Sequence, residues 1–167
     1  MPITLITGGA RSGKSRFAEK LVLGQPGRPV YIATAEALDD EMRARIADHK
    51  ARRNDQWLDN PAPIDLAGAI AATEGQGARL IDCLTMWLSN LVFSEADIQQ
   101  HSALLVDALS KAASPVVLVT NEIGSGIVPD NKLSRDFRDS QGRLNQLLGA
   151  AADEIFLVVC GHPVKVK

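Results

Sequence analysis

Aromatic residues make up only 4% of the chain, and cysteine occurs twice, at Cys83 and Cys160. Neither cysteine belongs to a Cys-x-x-Cys pair, which excludes a zinc ribbon, a thioredoxin-type dithiol and a disulfide scaffold. Both sit in apolar, strand-like surroundings, and the expectation is two buried thiols in a reducing compartment. His49, His101 and His162 are scattered and make no metal-ligand spacing. Acidic and basic residues nearly balance, at a formal net charge of -2, so no electrostatic feature argues for nucleic acid or an anionic membrane as partner. No apolar run approaches the ~20 residues of a membrane span. The chain passes directly into a strand-like segment, which predicts no leader peptide and a cytoplasmic protein. Repeats and low-complexity tracts are also missing. What is there is 167 residues, 46% hydrophobic, a size that suits one domain over 1–167 with a proper core.

Short β-branched runs alternate with amphipathic stretches. Strands are expected over 3–7, 30–34, 79–82, 116–121 and 155–160, with an edge strand over 164–167. Helices are expected over 15–24, 39–53, 64–74, 83–93, 96–112 and 134–151. This alternation predicts an α/β fold of three layers, a mainly parallel sheet covered by helices on both faces. Ligands in such sheets bind at the carboxyl ends of the strands. The turn-rich stretch 54–63, with Pro61 and Pro63, reads as a loop that is either a lid, a substrate loop or a plain connection. The glycine-rich stretch 121–131 follows a buried strand, which favours a role at a site.

The most informative segment is Gly8-Gly-Ala-Arg-Ser-Gly-Lys14-Ser15, which fits G-x-x-x-x-G-K-[ST] at every fixed position. An apolar strand precedes it and a helical pattern follows. Amides of Gly8, Gly9, Ala10, Arg11, Ser12 and Gly13 then face polyphosphate oxygens, Lys14 reaches the β- and γ-phosphates, and the Ser15 hydroxyl reaches Mg²⁺. This is a P-loop, and the chain is expected to bind a nucleoside triphosphate. Asp82 ends an apolar strand, the Walker-B position, where a carboxylate orders Mg²⁺. Glu122 follows another apolar strand and is either a base, a water-holding group or a simple strand-end carboxylate.

In the segment 38–53, Asp39 suits a helix cap, and Met42, Ile46, His49 and Arg53 share one face by helical spacing. Spacing alone leaves two readings. His49 is a histidine at the edge of the core with a solvated basic helix end, or it is a nucleophile toward phosphorus flanked by Lys50, Arg52 and Arg53. Two GTPase-like patterns fail on context. Asp139-Ser-Gln-Gly142 lies in a helical stretch, and Asn131-Lys-Leu-Ser134 has serine where a base-reading acid belongs.

Several segments together resemble one family. They are Thr7 to Ser15, Tyr31-Ile-Ala-Thr34, Asp39-Asp-Glu-Met42, Arg45-Ile-x-x-His49-Lys50, Val117-Leu-Val-Thr-Asn-Glu-Ile-Gly124 with Gly126-Ile-Val-Pro129, Phe137-Arg-Asp139 with Gly142-Arg-x-Asn145, and Ala151-Ala-Asp-Glu154. In this order, over nearly the whole chain, they are similar to the bifunctional adenosylcobinamide kinase/adenosylcobinamide-phosphate guanylyltransferase family of cobalamin biosynthesis. The resemblance implies NTP-dependent phosphorylation of adenosylcobinamide, then transfer of GMP from GTP to adenosylcobinamide phosphate through a guanylyl-histidine at His49. It implies nucleotide contacts at Gly8 to Ser15, at Ala33, Thr34 and Ala35, at Lys50, Ala51, Arg52 and Arg53, and at Asp82. It also implies GTP and ATP as substrates, Mg²⁺ and a homotrimer. The chain departs from many relatives in having Pro61 where they carry a glutamate, and from some in having Asp82 for glutamate. The alternative is a small-molecule P-loop kinase without nucleotidyl transfer. A non-enzymatic, nucleotide-gated module lacks an evident switch pattern.

Overall fold

β1 (Ile3–Thr7), β4 (Arg79–Asp82) and β5 (Val116–Val119) are near-continuous apolar runs, the composition of strands buried on both faces. They form the middle of a seven-stranded sheet with β2 (Val30–Ala33), β3 (Leu58–Pro61), β6 (Glu154–Val159) and β7 (His162–Lys165), in the order β3-β2-β4-β5-β1-β6-β7. All neighbours are parallel except the β6–β7 hairpin. The computed structural model describes residues 2–37 and 40–167, and the side chains of Glu41, Arg45, Asp48, His49, Arg52 and Asn54 lie outside that description.

Alternation along the strands sorts the core into two layers. Leu5, Val30, Ile32, Ile81, Val116 and Leu118 face α3 (Leu66–Ala72), α4 (Leu84–Phe93), α5 (Ile98–Lys111) and α6 (Lys132–Ala151). Ile6, Tyr31, Leu80, Val117 and Val119 face the other way, onto Ala18 and Val22 of α1 (Lys14–Leu23) and onto Trp57. Each fully buried Leu or Ile contributes about 1.5–3 kcal/mol, so these two layers hold the strand order. The α/β three-layer arrangement expected from the sequence is therefore observed, with element ends within a few residues of expectation.

Two readings need correction. The stretch 54–63 is not simply a loop: a 3-10 turn over Asn54–Gln56 leads into β3, which pairs in parallel with β2. Leu58-Asp-Asn-Pro61 gives no strand signal because β3 is an edge strand, and the proline falls at its last position where a missing amide is tolerated. Nor are both cysteines buried. Cys83 is half-buried, and Cys160 is exposed in the tight turn between β6 and β7, with φ 51. The expected edge strand exists, shifted to His162–Lys165 and antiparallel. Asp39, expected to cap the helix now seen as α2 (Asp40–Arg53), lies outside the described residues. Asn131 caps α6, its side-chain oxygen accepting from the Ser134 amide at 2.8 Å, and Asp139 and Gly142 lie inside that helix, so neither GTPase-like pattern sits at a strand end.

Candidate active site

Register lines up the carboxyl ends of five strands. Ile6 pairs with Val119, Val119 with Asp82, Asp82 with Ala33, and Ala33 with Pro61. The P-loop, the 120–131 stretch, Asp82 and the start of the chain toward α2 therefore all leave the sheet on one side. The loop's shape depends on its glycines. Gly8 has φ 149, and a Cβ there would lie 2.5 Å from the Val158 carbonyl oxygen. Gly13 has φ 98 and caps α1 without any side-chain hydrogen bond, leaving that helix N-terminus open to an anion. The β6–β7 turn supports the loop from behind, with the Gly161 amide donating to the Ser12 carbonyl at 2.9 Å. Lys14 is buried, and its ammonium donates to the Gly9 carbonyl at 2.6 Å.

Beside the loop is a cavity of about 90 Å³ lined by Ser15, Tyr31, Ala33, Ala35, Met42, Ile46, Lys50, Arg53, Asp82, Cys83 and Met86. It joins α1, β2, α2 and β4, which is why no local pattern could have announced it. A larger apolar groove of about 400 Å³ runs between α4 and α6, past Phe93, Ile123 and Phe137, away from these groups. Polar and ionisable groups from four elements meet at the smaller cavity, so the chemistry is assigned there.

Arg53 was expected at the site, but its setting was not. A solvated helix end was one sequence reading, yet its side chain is buried. The guanidinium carbon lies 3.4 Å from the centroid of the Tyr31 ring, a stacked cation–π contact. Nη2 donates to Asp59 Oδ1 at 3.2 Å, while Nε and Nη1 have no hydrogen-bond partner among the described residues. Tyr31 in turn donates its hydroxyl proton to Asp82 Oδ2 at 3.2 Å and packs edge-on against Trp57. Burial first, and then the charge of Asp82, push the Tyr31 phenol above its ordinary value, against the opposing pull of Arg53. Tyr31 is the only tyrosine in the chain, and its lateral contacts left no mark in the sequence pattern.

The expected nucleotide-binding residues distribute unevenly. Ser15, Ala33, Ala35, Lys50, Arg53 and Asp82 line the cavity. Thr34, Ala51 and the P-loop residues from Gly8 to Lys14 do not. Thr34 is buried and occupied with the backbone: its hydroxyl donates to the Cys83 carbonyl and accepts from the Cys83 amide, each at 2.8 Å, and its carbonyl accepts from Asn90 Nδ2 at 2.8 Å. Thr34 thereby fixes the chain just beyond Asp82. The side chains of His49 and Arg52 lie outside the described residues, although both positions belong to the backbone of α2. Glu122 holds its own loop, Oε1 accepting from the Gly124 amide at 2.7 Å, and its amide donates to the Gly8 carbonyl at 3.1 Å.

Ser15 and Asp82 offer a hydroxyl and a carboxylate to one cavity, hard oxygen donors of the kind Mg²⁺ takes. Among the described residues no cluster of three or more His, Cys, Asp or Glu could hold a metal by itself.

Fold and loop together define a P-loop nucleotide-binding protein. Solved structures of similar fold include the P4 protein of bacteriophage phi6 in complex with ADP, with TM-score 0.53, 17% identity and coverage of 97% of this chain and 52% of that one. A KaiC-like protein of Pyrococcus horikoshii gives TM-score 0.52 at 13% identity, covering 93% and 71%. The family model described as cobinamide kinase / cobinamide phosphate guanyltransferase matches residues 4–166, and the chain belongs to that family. It is 44% identical to the bifunctional adenosylcobalamin biosynthesis protein CobU of Salmonella typhimurium, with 98% of both chains covered. It is 40% identical to the corresponding CobP of Pseudomonas aeruginosa, with 98% and 96% covered.

Proposed function

We propose that this chain, as one domain over 1–167, phosphorylates adenosylcobinamide with a nucleoside triphosphate and then guanylylates the product from GTP, in cobalamin biosynthesis. In the first step the substrate hydroxyl oxygen attacks the γ-phosphorus and the nucleoside diphosphate leaves. The P-loop amides and Lys14 hold the developing negative charge. In the second, an imidazole nitrogen of His49 attacks the α-phosphorus of GTP and pyrophosphate leaves. The phosphate oxygen of adenosylcobinamide phosphate then displaces histidine, giving adenosylcobinamide-GDP. Ser15 and Asp82 would hold Mg²⁺, which when bound neutralises charge on the phosphate oxygens.

The observation that carries this reading is the meeting of Ser15, Asp82, Lys50 and Arg53 at one cavity, with α2, the helix bearing His49, forming one wall. At about 90 Å³ the cavity is far smaller than the ~300 Å³ or more usual for a drug-sized ligand. We infer that α2 closes over the bound nucleotide and so brings His49 toward the α-phosphorus. We further propose a homotrimer in the cytoplasm that does not engage nucleic acid. No described helix is long and apolar enough to cross a membrane.

The test is incubation with Mg²⁺ and GTP labelled at the α-phosphate, beside His49→Ala. The expected result is a covalent adduct that is acid-labile and alkali-stable in the parent protein and absent from the variant, with kinase activity retained in both. No adduct despite measured GTP binding would leave a kinase without nucleotidyl transfer.

A further inference from the structure

Arg53 and Asp82 carry opposite charges, line one cavity, and yet bond to different partners. Among the described residues the ion pair of Arg53 is with Asp59, and the hydrogen bond to Asp82 Oδ2 comes from Tyr31. One side chain stands between them. The face of the Tyr31 ring takes the guanidinium, 3.4 Å from its centroid, and the hydroxyl at the far end of the ring takes the carboxylate at 3.2 Å. The strand register explains the reach. Tyr31 pairs with Leu80 while Ala33 pairs with Asp82, so Tyr31 and Asp82 are diagonal neighbours two residues out of step, a separation an aromatic side chain spans. The ring cannot swing aside freely, because Trp57 packs edge-on against it at 6.0 Å between centroids and the residue is buried.

We propose that Tyr31 is a positioning residue that works as a spacer, keeping the Arg53 guanidinium and the Asp82 carboxylate apart so that each stays available to ligand. The proposal rests on the nucleotide-binding reading of the same cavity. Two opposite charges close together in a water-poor site attract strongly, and a direct Arg53–Asp82 pair would turn the groups needed for phosphate and cation toward each other. Stacking on an aromatic face satisfies a guanidinium without using its N–H groups, and Nε and Nη1 of Arg53 are indeed without partners among the described residues. The phenol likewise gives Asp82 one neutral donor, which orients the carboxylate without neutralising it.

The experiment measures Mn²⁺ binding by electron paramagnetic resonance, with a non-hydrolysable GTP analogue held at a concentration that saturates each variant, on the parent protein and on Tyr31→Phe, Tyr31→Leu and Tyr31→Leu/Arg53→Met. Circular dichroism checks that each variant is folded. Tyr31→Phe keeps the spacer and loses one hydrogen bond, and Mn²⁺ affinity falls about threefold. Tyr31→Leu removes the stacking face, Arg53 closes onto Asp82, and affinity falls about tenfold or more. The double variant removes the invading guanidinium and recovers Mn²⁺ binding relative to Tyr31→Leu. Ordinary loss of packing does not produce that recovery. A double variant as weak as Tyr31→Leu or weaker, or a Tyr31→Leu that binds like the parent, would overturn the spacer role while leaving the nucleotide reading intact. Absence of Mn²⁺–nucleotide binding in the parent would overturn both. Should Tyr31→Leu fail to fold, Tyr31→Trp takes its place: it keeps a stacking face and loses the hydroxyl, and must resemble Tyr31→Phe for the proposal to stand.

Discussion

Among the described residues two buried arginines lie against the sheet, Arg79 at the start of β4 and Arg53 at the end of α2, and they are held in different ways. Arg79 begins β4 and is completely enclosed. Its Nη1 donates to the Ile70 carbonyl at 2.8 Å and to Glu74 Oε2 at 3.0 Å, and its Nη2 donates to the Ser114 carbonyl at 2.6 Å. Glu74 also accepts from the amides of Gly75, Ala113 and Ser114 and from the Ser114 hydroxyl, so the group ties α3 to the approach of β5. Arg53, near the carboxyl ends, has one half-exposed carboxylate, an aromatic face and, among the described residues, two nitrogens without a hydrogen-bond partner, against the single Nε of Arg79. A buried charge bonded to carbonyls and a carboxylate on several sides is a staple. A buried charge resting on a ring at the wall of a cavity is arranged for something that arrives. The strand β4 carries both lessons, from Arg79 at its start to Asp82 at its end.

Substitutions that separate the two ends test this contrast, and the largest effect belongs to the site. Lys14→Ala should reduce both phosphoryl and guanylyl transfer by about 100-fold or more, since it removes the cation aimed at the phosphates, with little change in melting temperature. Steady-state assays beside thermal denaturation measure the two quantities together.

Arg79→Met works the other way. Losing Arg79 strips the Ile70 and Ser114 carbonyls and Glu74 of a fully buried charged donor, which costs about 3 kcal/mol or more. For a chain of this size that lowers the melting temperature by roughly 6–12 °C, with GTP affinity of the folded protein unchanged.

Glu74→Gln should have a smaller effect, felt at neutral pH and fading in acid. Burial alone would raise the pKa of Glu74, but hydrogen bonds from Ser114 and Ala113 and the charge of Arg79 outweigh it and hold the group at about 2 against an ordinary 4.5. A depressed carboxylate contributes stability above its unfolded value and loses it as pH falls toward the folded value. The parent should therefore lose stability from about pH 4.5 down to about 2, and Glu74→Gln should flatten that limb in urea titrations. The side chain is 36% exposed, so solvent screening keeps the gain well under the unscreened value.

Asp59→Asn is the mildest of the four. The Asp59 side chain is 43% exposed, and its pair with Arg53 should contribute under about 1 kcal/mol. Nucleotide affinity should stay within about twofold of the parent, because the Tyr31 ring and not the carboxylate seats Arg53. An affinity change larger than that would make Asp59 part of the site.

How much of this the sequence disclosed depends on how local each feature is. The P-loop was legible because its glycines, Lys14 and Ser15 lie within eight consecutive positions and each answers a backbone or phosphate requirement. Asp82 was legible because an apolar strand points to it. β3 was not, since an edge strand with Asp59, Asn60 and Pro61 lacks the apolar pattern of the inner strands. Cys160 was misread for a related reason: the apolar run of β6 ends at Val159, and the next residue turns out into solvent. The Arg53–Tyr31–Asp82 arrangement joins the end of a helix to two neighbouring strands, and no spacing along the chain encodes it.

Measuring GTP affinity and melting temperature on Arg53→Met and Arg79→Met side by side tests whether the two buried arginines have different work. The expected result is crossed. Arg53→Met should lose about tenfold or more in affinity with a shift of only a few degrees, and Arg79→Met should lose stability with affinity intact. If Arg53→Met binds GTP like the parent and melts as early as Arg79→Met, both arginines are staples, and the carboxyl end of the sheet holds no phosphate through Arg53.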